Sequence, residues 1–298
     1  MPGHAAQAAG GTAGGRGARV KAARFEFVRA QDATDAVRRL QAAGDDAKIC
    51  GGSQSLGAML NLRLVQVAQL VGVGHLESLK TAAMAGDVLR IGAAVTHARI
   101  EDGDLPDATA GLLPAVAANI AYRAVRNRGT LGGSLAHADP AADWVSVMCL
   151  LDATLVLLGP DGERRMAASN FFLGPFTTAL APDEIVLAVE LRRFSPQARW
   201  AYRKVCRKPG EFADAIGAAW WDPIHGQARA LIGALSSMPY VVEGAEALAA
   251  LQHPATQTAA IDRMLDDAGL DDAYEREVHA EMLRQALADL NTRREAAP

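Results

Sequence analysis

The chain has 298 residues, half of them apolar, and a formal net charge of −4. That is ample apolar material for a core; no basic stripe neutralises phosphates, which excludes nucleic acid as the natural partner, and no apolar run reaches the roughly 18–20 residues a bilayer span needs. Cys50, Cys149 and Cys206 lie far apart with no C-x-x-C pair; this excludes a disulfide framework or a zinc or iron–sulfur site held by this chain alone, and a reducing compartment, the cytoplasm, fits best.

Residues 1–20 open as MPGHAAQAAGGTAGGRGAR, with almost no large apolar side chains and no hydrophobic segment of the secretory kind. They read as a disordered tail, a cloning remnant or an over-called start. Order is expected from about Ala22. Arg24 to Val28 alternates as a short strand, and Asp32 is placed to cap a helix carrying Ala33, Val37 and Leu40 on one face. Ala47 to Cys50 reads as a buried strand running into Gly51-Gly52-Ser53-Gln54-Ser55-Leu56, followed by a short helical stretch from Gly57 to Leu64. Strands are predicted at Gln69–Val73 and Val88–Gly92, then one helix from Leu112 to Val125 that ends in the basic turn Arg126-Asn127-Arg128-Gly129.

A second glycine-rich loop begins at Thr130 and leads into a helix from Ala142 to Leu151, a strand from Ala153 to Leu158, a turn at Gly159–Gly162 and a strand from Glu184 to Leu191. The texture changes at Phe194-Ser195-Pro196, a candidate boundary between regions 21–194 and 195–298. Beyond it, Trp200–Cys206, Ala215–Trp221 and Ala228–Leu235 read as strands, the last two joined by a turn at Asp222–Gly226. The remainder reads as helical, ending in a long helix with the apolar stripe Val278, Met282, Leu283, Ala286, Leu287 and Leu290.

The two glycine-rich loops carry the chemical signal. Glycine lets backbone N–H groups approach an anion closely, and a following helix adds its positive end. Two such loops converging would suit a pyrophosphate, with Ser53, Ser55, Thr130 and Ser134 adding hydroxyls. A single Gly-Gly turn is more often only a tight turn. Neither loop contains G-x-G-x-x-G or G-x-x-x-x-G-K-[ST], so dinucleotide-binding Rossmann and P-loop sites are disfavoured.

The sequence GGSQSLGAMLNLRL at 51–64 resembles the first FAD loop of the medium, FAD-binding subunits of the xanthine dehydrogenase and carbon monoxide dehydrogenase family, and TLGGSLAHADPAAD at 130–143 resembles their second. Order, spacing and flanking sequence agree, and the likeness runs from about Lys21 to the C-terminus. Gly51 and Ser53 stand where alanine and glycine are common in the family, and Ser134 where asparagine is common. These departures touch loop detail, not the cofactor.

The resemblance implies an α+β fold: a two-part FAD-binding region of the vanillyl-alcohol-oxidase (PCMH) type, then a C-terminal domain of a small antiparallel sheet with helices. It implies that Gly51, Gly52, Ser53, Gln54, Ser55 and Leu56, with Thr130, Leu131, Gly132, Gly133 and Ser134, wrap the pyrophosphate and ribityl chain. It places Asp143 at an acidic position that hydrogen-bonds FAD, where the plain alternative is a helix-start carboxylate. It places Lys204 near the flavin, where a cation favours the anionic reduced form; the alternative is a strand-end surface lysine. Ile120 and Val186 match apolar or backbone contact positions, equally readable as core.

His137 lies in the second loop, but covalent attachment of FAD there is not expected. His97 reads as a helix-start histidine rather than a catalyst, and Trp220-Trp221 as strand packing. Arg126 and Arg128 face either flavin phosphate or a carboxylate. No catalytic side chain and no metal ligand is assigned.

In the family implied, a molybdenum-cofactor subunit hydroxylates substrate, a subunit with two [2Fe-2S] clusters relays electrons, and the FAD subunit passes them to an external acceptor. The expected assembly is a dimer of heterotrimers. The Cys-rich insertion of the hydroxybenzoyl-CoA reductases is missing. Two other readings stand beside this one: a stand-alone FAD oxidoreductase of the same broad fold, like the enolpyruvyl-glucosamine reductases, and a non-enzymatic assembly subunit.

Overall fold

In a computed structural model of the chain, residues 21–295 are described; the tail expected at residues 1–20 lies outside them. Strand β1 (Glu26–Arg29) leads to helix α1 (Ala33–Ala43), β2 (Ala47–Cys50), α2 (Leu56–Asn61) and β3 (Gln69–Gly72). The three strands form a parallel sheet in the order β1-β3-β2, with α1 against it. Asp32 caps α1 as its spacing predicts, its Oδ1 accepting from the Asp35 amide at 2.7 Å. Ala36, Val37 and Leu40 on the buried face of α1 share a small core with Val71, Val73 and Leu79.

Next come β4 (Ala82–Ala85), β5 (Val88–Gly92), α3 (His97–Glu101), α4 (Leu112–Ala117), α5 (Arg123–Arg126), α6 (Leu131–His137) and α7 (Asp143–Leu151). After them run β6 (Thr154–Gly159), β7 (Gly162–Ala167), α8 (Ala168–Phe171), β8 (Phe172–Gly174), β9 (Thr177–Thr178) and β10 (Ile185–Arg192). A five-stranded antiparallel sheet, β4-β5-β10-β6-β7, is the second part of this region, and β8 and β9 form a small hairpin.

The C-terminal part holds an antiparallel meander, β11 (Arg199–Val205), β12 (Ala215–Asp222), β13 (Gln227–Gly233) and β14 (Tyr240–Glu243), then α9 (Ala245–Gln252), α10 (Gln257–Asp267) and α11 (Ala273–Glu295). The predicted stripe of α11 is the buried one: Leu283, Ala286, Leu287 and Leu290 are at most 2% exposed, while Val278 and Met282 are half-buried. Gly217 of β12 admits α11 closely, since a Cβ there would lie 2.3 Å from the Met282 carbonyl carbon.

Helix α7 is buried from Asp143 to Leu150, as a helix apolar on every side must be. Trp144, Val145, Met148 and Leu150 belong to one continuous core with Leu155 and Val189 of the five-stranded sheet and with Ile216, Ala218 and Leu231 of the meander. Each fully buried side chain of this size contributes roughly 1.5–3 kcal/mol. Trp220 stacks on Phe194 with ring centroids 5.1 Å apart, and Arg199 sits over Trp221 at 4.7 Å, so this pair packs strands as the sequence suggests.

Two predicted elements are corrected. The helix expected over Leu112–Val125 breaks after Ala117 and resumes at Arg123. Ala121 adopts φ +46°, and the carbonyls that would continue the helix are taken by cations: Asn119 O by Lys204 Nζ at 2.9 Å, Ile120 O and Ala121 O by the Arg126 guanidinium at 2.9 and 2.8 Å. The second glycine-rich loop is itself helical over Leu131–His137. Thr130 caps it through Oγ1, which accepts from the Gly133 amide at 3.1 Å, and Leu131 and Leu135 bury one face. The strands β4, β7, β8, β9 and β14 are found in addition to those predicted.

Candidate functional site

The first loop ends the parallel sheet. β2 finishes at Cys50, and Ser53 turns the chain at φ +60°, a left-handed conformation that suits glycine better than serine. Among the described residues, nothing accepts from the amides of Ser53, Gln54, Ser55 or Leu56, just ahead of and at the start of α2. Gln54 bonds locally, its Nε2 donating to Gly52 O at 2.9 Å. Gln54 and Ser55 are exposed and Ser53 and Leu56 half-buried, so these donors, like those at any helix start, are open to solvent or to an anion.

The second loop meets the first. A Cβ on Gly51 would lie 3.0 Å from Thr130 Oγ1, and one on Gly52 only 1.8 Å from Arg128 O. The glycines of the first loop thus let it press against the backbone at 128–129 and the Thr130 side chain. In the second loop the amides of Leu131 and Gly132 are already spent, on Val95 O and Ala93 O at 2.9 Å each. Gly132 seats α6 on Ala93, where a Cβ would come within 2.4 Å of the alanine's own. Gly133 differs: it is exposed, and a Cβ there would meet only Thr130 Oγ1, at 2.8 Å. The Ser134 hydroxyl has no partner among the described residues. The second loop therefore offers a side-chain-free surface rather than free amides.

The two loops together fit FAD. They meet at Thr130, whose Oγ1 lies beside both Gly51 and Gly133, with the free amides of Ser53 to Leu56 following in the first loop. The residues that would hold it are Ser53 to Leu56 through the backbone, Ser53 and Ser55 through hydroxyls, and Gly133 and Ser134 of the second loop. Leu131, Gly132 and Val186 are buried in the core; Ile120 packs against that core from the bend between α4 and α5.

Asp143 and Lys204 are each other's partners. Lys204 Nζ donates to Asp143 Oδ2 at 2.9 Å, and the two side chains are 10% and 6% exposed. The other carboxylate oxygen, Oδ1, accepts from the Tyr202 hydroxyl at 2.9 Å. Burial pushes the Asp143 carboxyl above the ordinary carboxylate range, opposed by the Lys204 charge and by both hydrogen bonds. Burial and the facing carboxylate drive the Tyr202 hydroxyl well above the usual phenol range, so it stays a donor. Tyr202 was not singled out by the sequence reading, although it lies two residues before Lys204 on a strand and so on the same face.

The neighbouring charges also sort themselves. Arg126 faces a carboxylate, bonding Glu101 through Nε at 2.7 Å and through a terminal nitrogen at 2.8 Å. Arg123 joins Glu101 and Asp102 at the surface. Arg128 has no side-chain partner among the described residues. His97 does start α3, as expected. It is buried, and its Nδ1 accepts from Trp144 Nε1 at 3.0 Å, which puts the ring proton on Nε2. Burial, helped by the Arg126 charge, pulls its pKa from 6.5 to about 4.

That shift has a testable sign. Between pH 6.5 and about 4 the unfolded chain protonates this histidine and the folded chain does not, so the chain loses stability as pH falls through that window. The loss is on the order of 2–3 kcal/mol by pH 4. Urea titrations at pH 7.5 and 5 should show it, and His97→Gln should flatten the dependence. An unchanged slope in the variant would assign the effect elsewhere.

A family model described as "FAD binding domain in molybdopterin dehydrogenase" matches residues 23–192. The carbon monoxide dehydrogenase medium chain of Hydrogenophaga pseudoflava is 34% identical over 192 residues, 64% of this chain and 67% of that one. The 6-hydroxypseudooxynicotine dehydrogenase complex subunit alpha of Paenarthrobacter nicotinovorans is 33% identical over 195 residues, 65% of each chain, so these matches span about two thirds of the relatives' length. Among solved structures, a carbon monoxide dehydrogenase from Hydrogenophaga pseudoflava superposes with a TM-score of 0.81 at 29% identity, over 91% of this chain and 99% of that one. The quinoline 2-oxidoreductase of Pseudomonas putida 86 gives 0.79 at 27% identity, over 91% and 98%. Among the described residues, no helix is long and apolar enough to cross a membrane.

Proposed function

Because the chain belongs to the FAD-binding subunits of the xanthine and carbon monoxide dehydrogenase family of molybdenum hydroxylases, we propose that it works as the flavin end of a cytoplasmic multi-subunit complex. It takes electrons from a [2Fe-2S] subunit, which receives them from a molybdopterin-binding large subunit, and passes them to an external acceptor. The assembly is a dimer of heterotrimers. The observation that carries the cofactor part is the close meeting of the two glycine-rich loops, Gly51 and Gly52 against 128–130, with the free amides of Ser53–Leu56 beside it. The division of labour rests on the scattered cysteines Cys50, Cys149 and Cys206, which hold no cluster together.

When bound, FAD supplies the ability to accept electrons and release them. The chain's own residues bind and orient it. Ser53 to Leu56, with Gly133 and Ser134, would wrap the pyrophosphate and ribityl chain, and Gly51 and Gly52 keep the two loops in contact. Leu131, Gly132 and Val186 act from beneath as a rigid floor, with Ile120 at its edge. Lys204 and Asp143 act on the flavin's charge. The FAD-binding part is residues 21–194 and the C-terminal part 195–298.

The test is reconstitution. The purified chain should carry FAD near one per chain, released on denaturation, yet reduce no dye when given N-heterocycles, aldehydes or carbon monoxide. Adding the iron–sulfur and molybdenum subunits should restore dye reduction with the complex's substrate. Substrate-dependent turnover by the chain alone would overturn the subunit reading in favour of a stand-alone flavoenzyme; a colourless chain that still assembles would favour a scaffold.

A further inference from the structure

Strand β11 presents alternate side chains to two different layers. Arg203 faces α11, its guanidinium on Asp289 through Nε and at 2.9 Å through a terminal nitrogen. Tyr202 and Lys204 point the other way, and both end on the one carboxylate of Asp143, at the start of α7. Among the described residues each Asp143 oxygen has one side-chain donor, and Lys204 has a second acceptor in Asn119 O. The network joins the helix that follows the second loop, the bend between α4 and α5, and the C-terminal sheet. A lysine at this point would raise the flavin's affinity for electrons if its charge stood alone. Here a carboxylate at 2.9 Å balances it.

We propose that Tyr202 is a positioning residue that keeps Asp143 ionised against Lys204, so that the pair acts on the flavin as a neutral, oriented dipole and tunes its potential through the balance of the two charges. This rests on the proposed function, in which the loops form an FAD site and Asp143 and Lys204 stand beside the flavin.

The signs follow from charge. Reduction adds negative charge to the flavin, so removing the nearby carboxylate raises its potential and removing the nearby ammonium lowers it. Removing both leaves the net charge as it was. Loss of the Tyr202 hydroxyl takes one donor from the Asp143 carboxylate, which then protonates at higher pH. Below that point Lys204 is unbalanced and the potential rises.

The experiment measures flavin midpoint potentials by dye equilibration on the full chain loaded with FAD, across pH 5.5 to 9. D143N should shift the potential up, K204M down, and D143N/K204M back to the wild-type value. The double variant also serves where a single one folds poorly. Y202F should match wild type at high pH and diverge to more positive potentials as pH falls. A tyrosine that merely packs would lower stability and leave the two pH curves parallel. Parallel curves for Y202F, or shifts of the same sign for D143N and K204M, overturn the proposal while FAD binding stands. A wild-type chain that takes up no FAD overturns the cofactor reading and this inference with it.

Discussion

Gly52→Ala should leave the chain colourless and lower its melting temperature by on the order of 5–10 °C. The added Cβ would sit 1.8 Å from Arg128 O and 2.5 Å from its carbon, with Gly129 Cα at 2.9 Å. All three are backbone atoms, so no side chain can swing aside, and the two loops must part. Overpacking at such a point costs about 3 kcal/mol or more, and parting the loops opens the cradle they form. Gly133→Val is the contrasting variant. Its Cβ meets no backbone atom, only Thr130 Oγ1, the cap of α6, at 2.8 Å, so the apoprotein should lose a few degrees at most, less than Gly52→Ala, while flavin occupancy falls. Thermal shift with and without added FAD separates the two behaviours. A yellow Gly52→Ala chain with wild-type stability would show that loop contact is not what holds the cofactor.

Asp143→Ala should cost the chain about 3–5 kcal/mol, measured by urea denaturation of the apoprotein. It leaves the Lys204 ammonium 90% covered, with Asn119 O as its remaining acceptor, and a buried charge without its counter-ion carries a penalty of that order. Lys204→Met should cost a comparable amount for the converse reason. Combining them should cost clearly less than the sum, because the double variant buries no charge. Additive losses would mean that the two residues act independently. These residues thus bear on the fold whatever they do to the flavin, a point their position in the sequence does not disclose.

What was legible in the sequence is what repeats with a local period. The α11 stripe, the Asp32 cap, the strand pattern of the meander and the two glycine pairs all follow from short-range spacing. The bend at Asn119–Ala121 does not. Leu112 to Val125 is a good helical pattern, and it breaks because Arg126 and Lys204, one of them 85 residues away in sequence, bind its carbonyls. The helix at Leu131–His137 was hidden by its glycines, which weaken any helix by propensity. Here the missing side chains are what allow seating on Ala93, and the capping Thr130 and buried Leu131 and Leu135 offset the loss. The same glycines read as amide donors; among the described residues the free amides lie at Ser53–Leu56, while those of Leu131 and Gly132 are spent on Val95 O and Ala93 O. Tyr202 was within reach, since period two puts it beside Lys204, but only the fold brings Asp143 to both.

The shared core around α7 bears on how such a chain can be inherited. Trp144, Val145 and Met148 pack at once against the five-stranded sheet and against Ile216, Ala218 and Leu231 of the meander. A crossover that joined residues 1–194 of one relative to the C-terminal part of another would pair a helix with a sheet it had not been selected beside. Mismatched volumes would then meet in a fully buried part of the core, directly after the second loop. Recombination should therefore respect α7 and the meander as a single unit of exchange, and drift in one should be answered by compensating changes in the other.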